Sequence, residues 1–185
     1  MTRLPFDHPN DFSACFAPDY AAARAKFLAA ARTAGARVKE YRNPLPGPRG
    51  EELATDVAWL GPTTARKVLA LQSATHGVEG FTGSGAILDY MLARGTRCLP
   101  EDVAVLMIHA INPHGFAWLR RVTEENVDLN RNFVDFAAPL PENPGHDELA
   151  DALVPRELSG PVFEAAEAKI AAWRARHGDS LTEPA

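Results

Sequence analysis

The stretch Ser73–Ile87, SATHGVEGFTGSGAI, decides how the rest of the chain is read. It follows the apolar run Lys67-Val68-Leu69-Ala70-Leu71, which predicts a buried strand. It leads into Ile87, Leu88, Met91 and Leu92, whose spacing predicts an amphipathic helix. Between strand and helix lie His76 and Glu79, three residues apart, with Gly77 and Gly80 expected to give the turn its backbone freedom. A polar pair at the carboxyl end of a buried strand is where open α/β sheets place their chemistry.

Working outward, the helix is expected over 81–94 and to end at Gly95. Asp102–Ala110, DVAVLMIHA, is apolar until His109, as suits a strand buried on both faces. Strand, helix and strand in this order make a βαβ unit with parallel strands and a right-handed crossover. Upstream, Asp19–Thr33 predicts a helix closed near Gly35, and Arg37–Asn43 predicts a strand. The segment 43–50, NPLPGPRG, cannot be helix or central strand, because its prolines remove backbone donors. Leu53–Leu60 then predicts the second arm of a hairpin, with Leu53, Val57 and Trp59 as its apolar positions. The second strand of the βαβ unit breaks at Asn112-Pro113. Residues 137–160 carry Pro139, Pro141, Pro144 and Pro155 and read as loop-rich. A last helix starts at Pro161, a good first helical residue, with Phe163, Ala166, Ile170 and Trp173 on one face and Gly178 closing it. The expected organisation is a lead-in over 1–17, one partial domain over 18–178 and a tail over 179–185.

Bulk properties bound the function. The chain has 185 residues, 46% hydrophobic and 23% charged, an ordinary globular composition. A formal net charge of −5 and the lack of a basic run argue against a nucleic-acid or anionic-membrane partner. No stretch approaches the roughly 20 apolar residues that span a bilayer. The first residues lack a signal-like apolar core, so a cytoplasmic location is expected. Cys15 and Cys98 form no CxxC pair and read as buried thiols.

Three groups of residues can carry chemistry. Zinc accepts imidazole nitrogen and carboxylate oxygen, and a catalytic site uses three protein ligands plus water. His76 and Glu79 supply two such donors if the backbone between them turns. The plain alternative is a loop histidine and a solvated glutamate near a helix start. Asn112-Pro113-His114-Gly115 is the second group, and its plain alternative is a turn. The third is Asp128-Leu129-Asn130-Arg131-Asn132-Phe133, preceded by Arg120 and Arg121. Asn and Arg together can hold a carboxylate through charge-assisted contacts, or simply mark a surface turn.

Taken in order, the three groups resemble one family. A strand then His-Gly-x-Glu, a strand then Asn-Pro-x-Gly, then Arg, then DLNRNF, is similar to the zinc carboxypeptidases of the carboxypeptidase A type. The wording TEENVDLNRNF is closest to a bacterial branch of that clan known as a domain of unknown function. The resemblance covers roughly 36–178, with its specific part in 73–133. It implies an α/β fold, the N-terminal half of a carboxypeptidase-like mixed sheet: an antiparallel hairpin followed by parallel βαβ, flanked by helices. It implies zinc held by His76 and Glu79. Arg121 would polarise the scissile carbonyl, a task for a fixed positive charge, although sequence leaves Arg120 and Arg121 interchangeable. Asn130 and Arg131 would hold the terminal carboxylate of a peptide or acyl-amino-acid substrate.

The sequence departs from the family after Arg131. The third zinc ligand, a His on a later strand, and the general base, a Glu, have no matching position. His146 sits in a Pro/Gly-rich segment and His177 at the end of the last helix, neither preceded by an apolar strand. His109 reads as a hydrogen-bonded core residue, His114 holds a variable turn position and His8 lies outside the fold. The expectation is therefore a truncated hydrolase scaffold, inactive as this chain alone, with an open sheet edge that leaves it marginally stable or self-associating. Two other readings stay open. One is an N-acyl amino acid amidohydrolase like aspartoacylase and succinylglutamate desuccinylase, which share His-Gly-x-Glu. The other is a non-catalytic carboxylate-binding remnant.

Overall fold

The computed structural model describes residues 12–93, 99–142 and 144–178. Expectations about His8, Gly95, Cys98 and the tail lie outside these residues. The chain forms two compact units, one up to Phe133 and one from Val134.

The first unit is an α/β layer. Helix α1, Tyr20–Thr33, starts where the Asp19 carboxylate accepts the Ala22 N–H at 2.8 Å, satisfying a donor that has no partner inside the helix. It is followed by β1, Arg37–Arg42, and β2, Ala54–Leu60, then β3, Lys67–Gln72, helix α2, Gly80–Ala93, and β4, Val103–His109. The sheet order is β1-β2-β4-β3. β1–β2 and β2–β4 are antiparallel, and β3–β4 are parallel. This is the expected mixed sheet, a hairpin joined to a βαβ unit, with helices packed on it.

The register sets the faces. Ala58 and Leu60 of β2 and Val105 and Met107 of β4 join Phe27, Ala30 and Ala31 of α1 and Ile87, Leu88 and Met91 of α2 in one core. The buried face of β2 is thus Ala54, Asp56, Ala58 and Leu60, while Val57 and Trp59 on its other face are only partly covered. Small residues line that buried face because α1 lies against it. Asp56, fully buried, is compensated by Arg24 of α1, whose Nε donates to it at 2.7 Å.

One expectation fails here. The run at 67–71 is apolar but not buried. Among the described residues β3 stands at the edge of the sheet, with Val68 and Leu69 about half exposed, at 49% and 47%. Only Leu71 packs against the core. β4, between β2 and β3, is the strand that is covered. The loop-rich segment 137–160 also holds a helix.

In the second unit, α4 spans Pro144–Leu153 and α5 spans Pro161–His177, and the two pack together. Pro144 does not break α4 because it stands at its first residue, where no intrahelical donor is lost. On α5 the covered positions are Phe163, Ala166, Ile170 and Trp173, the face expected from their spacing. Gly178 caps it at φ 83°.

Candidate functional site

Three loops of the first unit meet backbone to backbone. The loop after β3 carries His76-Gly77-Val78-Glu79. The chain after β4 forms α3, Pro113–Ala117, a short helix rather than a simple turn. The Asn112 side chain caps it by accepting the Gly115 N–H at 2.7 Å. Gly77 N–H donates to the Arg120 carbonyl at 3.1 Å, and Arg120 N–H to the Gly115 carbonyl at 2.8 Å.

The glycines make this approach possible. A Cβ on Gly77 would lie 2.0 Å from the Gly115 carbonyl group and 2.3 Å from the Arg120 oxygen. A Cβ on Gly115 would lie 2.4 Å from Asn112 Nδ2. Gly77 is not among the residues at positive φ. It serves close approach between chains, and not the turn that its sequence setting suggests.

His76 is held on both ring nitrogens. Nδ1 lies 3.0 Å from Glu79 Oε1, and Nε2 lies 2.9 Å from Asp128 Oδ1. The second Asp128 oxygen accepts from Arg121 Nε at 2.8 Å, and Oδ1 also accepts the Asn130 backbone N–H at 2.9 Å. His76 is buried, whereas the Glu79 side chain is 70% exposed. Hydrogen bonds to Glu79 and then Asp128 raise the His76 pKa above its ordinary value. Arg121 foremost, with help from His76, holds the Asp128 carboxyl down at about 2.

A neutral imidazole has one N–H and cannot donate to two carboxylates. With Nε2–H on Asp128, the Nδ1 lone pair faces Glu79, and a proton or a cation must lie between them. This is the arrangement in which a carboxylate orients a metal-bound histidine through its far nitrogen. The donors at Nδ1 and Glu79 suit zinc in kind and count as two. Asp128 is on the opposite nitrogen and does not converge with them. Among the described residues no group of three His, Cys, Asp or Glu forms a metal-holding set. The residues present therefore fit part of a catalytic zinc site and not the whole of it.

The structure brings together His76, Glu79 and Arg121 through Asp128, and Asn130 through its backbone. It does not bring Arg131 into that network. Arg131 is exposed and its Nη1 donates to the Asn130 carbonyl at 2.9 Å. Arg120 points to Asn126 Oδ1 at 3.2 Å, so Arg121 is the arginine on the His76 side. Asp128 is the residue that sequence reasoning left without a role. Its only signal was a carboxylate in the DLNRNF motif, and a contact with His76 across 52 residues leaves no local pattern.

The other histidines lie elsewhere. His109 is fully buried, with Nε2 2.8 Å from Ser84 Oγ and its ring stacked on Phe27 at 4.8 Å, the expected core residue. Burial lowers its pKa to about 4. His114 is buried in α3 and stacks on Trp118 at 5.7 Å. His146 and His177 belong to the second unit, where His177 Nδ1 donates to the Trp173 carbonyl at 3.0 Å. A cleft of about 480 Å³ is lined by Asn112, Glu124, Val127, Leu129 and Asn132 among others, but by neither His76 nor Glu79. Among the described residues no helix is long and apolar enough to cross a membrane.

The family model described as "Protein of unknown function (DUF2817)" matches residues 16–185. No curated protein matches the chain. Among solved structures it is similar to glutaminyl cyclase of Porphyromonas gingivalis, at 18% identity and TM-score 0.37, over 55% of this chain and 44% of that one. Glutaminyl cyclase of Tannerella forsythia matches at 15% identity and TM-score 0.38, over 64% and 48%. A Zn-dependent exopeptidase from Parabacteroides distasonis matches at 15% and 0.36, over 73% and 48%. The chain thus spans less than half the length of each of these proteins. At such scores the overlap is too slight to carry a function from one chain to another.

Proposed function

The chain belongs to the DUF2817 family, and on that premise we propose that its first unit is a zinc-hydrolase scaffold of the carboxypeptidase kind, directed at a peptide or amide bond beside a free carboxylate. One observation carries this reading: His76 presents Nδ1 to Glu79 while Asp128 fixes its other nitrogen. His76 and Glu79 would hold the zinc, which when bound supplies Lewis acidity and an activated water. Two donors do not complete a catalytic set, so no reaction step is derived through the metal.

The chain's own groups have simpler tasks. Asp128 orients the His76 ring and, through its second oxygen, anchors Arg121. Arg121 is left partly exposed, with its terminal nitrogens available to a carbonyl or oxyanion. Asn130 and Arg131, exposed next to it, would meet a substrate carboxylate. The lack of a three-donor group among the described residues supports a second reading, a module that binds carboxylates without catalysis.

Zinc titration by calorimetry tests the proposal. Saturable binding is expected, abolished in His76→Ala and weakened ~10–100-fold in Asp128→Ala, as for loss of an orienting carboxylate. Absence of zinc binding, with affinity for small carboxylates retained, would favour the binding module.

A further inference from the structure

Arg121 and Asp128, bonded to each other beside His76, stand at the two ends of a closed turn. Thr123 N–H donates to the Val127 carbonyl at 3.0 Å, and Asn126 N–H to the Thr123 carbonyl at 3.1 Å. The Thr123 hydroxyl accepts the Val127 N–H at 3.2 Å, and Asn126 takes a φ of 63° to close the loop. These bonds make 123–127 one stiff piece. Its base is held by the backbone bonds that join Arg120 to Gly77 and Gly115. A piece held at its base alone can swing about it and carry Asp128 along.

The tip is tied to a segment 81 residues away, where Asn43 Nδ2 donates to Glu124 Oε1 at 2.8 Å. The Asn43 amide is not free to turn over. Its Oδ1 accepts the Leu45 N–H at 2.9 Å, which requires an oxygen there, so Nδ2 faces Glu124. Trp118 Nε1 adds a longer bond to the Pro46 carbonyl at 3.4 Å. The segment 43–50 is itself fixed. Asn43 N–H donates to the Leu53 carbonyl and Gly47 N–H to the Glu51 carbonyl, both at 2.8 Å. Arg49 pairs at 2.9 Å with Asp19, the cap of α1. Pro44, Pro46 and Pro48 lock their own φ angles and stiffen the segment further.

We propose that Asn43 and Glu124 are positioning residues for the His76 site. The 43–50 segment braces the turn that sets Asp128 against the imidazole and Arg121 beside it. The two act through Asp128 and Arg121, so what they tune is the zinc and the carbonyl or oxyanion assigned to this site above, and the inference rests on that reading. A brace of this kind matters more to the site than to the fold. The Asn43–Glu124 bond is only partly buried, whereas the orientation of a metal-bound histidine depends on the carboxylate at its far nitrogen.

Asn43→Asp in the full chain tests this. It keeps an oxygen for the Leu45 N–H and turns a second oxygen, not a donor, towards Glu124. Zinc affinity by calorimetry should fall about tenfold, the low end for loss of an orienting group. In heteronuclear NMR the Arg121 Nε–H, held on Asp128, should exchange with water several-fold faster. Adding Glu124→Gln should restore both readouts, because its amide can donate where Asn43 donated, and the double variant has the parent's net charge. Glu124→Gln alone keeps the accepting oxygen and should resemble the parent. Thermal melts of all these variants should lie near the parent's. An unchanged Arg121 signal in Asn43→Asp, no restoration in the double variant, or a loss of zinc affinity seen only with a matching loss of fold would overturn the inference. If the parent binds no zinc, the zinc proposal falls, and the Arg121 signal still decides this one.

Discussion

His76 follows β3 and His109 is the last residue of the neighbouring parallel strand β4, and both are buried, yet they are opposite in character. His76 lies between two carboxylates, which hold a positive charge on or beside it. His109 lies against Phe27, Tyr20 and Phe116, with one hydroxyl on Nε2 and, among the described residues, no partner on Nδ1. The pKa rises at His76 and falls at His109. Carboxylate hydrogen bonds raise the one and burial lowers the other, and this difference separates a ligand-like histidine from a core one.

The strongest way to break this contrast is to unseat His76. Gly77→Ala places a methyl group 2.0 Å from the Gly115 backbone, which cannot give way as a side chain would. A loss of about 3 kcal/mol or more is expected, at the upper end for overpacking. Thermal and denaturant melts measure it, and zinc binding should fall with it. A variant as stable as the parent would mean that the three loops are not held in this approach.

The second test addresses His109. Its folded pKa of about 4 is below the unfolded value near 6.5. Above pH 6.5 both states are neutral and the group costs nothing. As the pH falls towards 4, the unfolded chain takes up a proton that the folded chain refuses. Stability should then drop by about 3 kcal/mol across that window, and no further below it. His109→Gln, which keeps a polar atom near Ser84, should lose this acid limb while other carboxylate-driven losses persist. Melts between pH 7 and 4 on both proteins give the difference, and parallel curves would show that His109 titrates normally.

Much of this contrast was legible in the sequence. An apolar run ending in a histidine marked β4 and its core residue, and His-Gly-x-Glu marked the paired donors. The edge position of β3 was not legible, because an apolar run of five residues reads the same at an edge as in the middle. Asp128 and the role of Gly77 were hidden for a different reason. Both are defined by segments distant in sequence, His76 for one and Gly115 with Arg120 for the other. α4 was hidden by Pro144, which breaks a helix anywhere except at its start.

The smallest effect on stability is expected where the proposed site is least built. Arg131 is exposed and donates to its neighbour's carbonyl, and Phe133 close by is 82% exposed. Nothing in the fold depends on either, so Arg131→Ala should change stability by no more than about 0.5 kcal/mol, as for a surface residue. Its consequence lies in binding alone. A small carboxylate such as an N-acyl amino acid should lose affinity in Arg131→Ala while zinc binding at His76 is unchanged. The two readouts separate the halves of the proposed site: the histidine half is held by backbone packing, and the proposed arginine half would take its shape from the ligand. Zinc binding lost together with carboxylate binding would show that Arg131 helps to hold the His76 loop, and the division between the halves would fall.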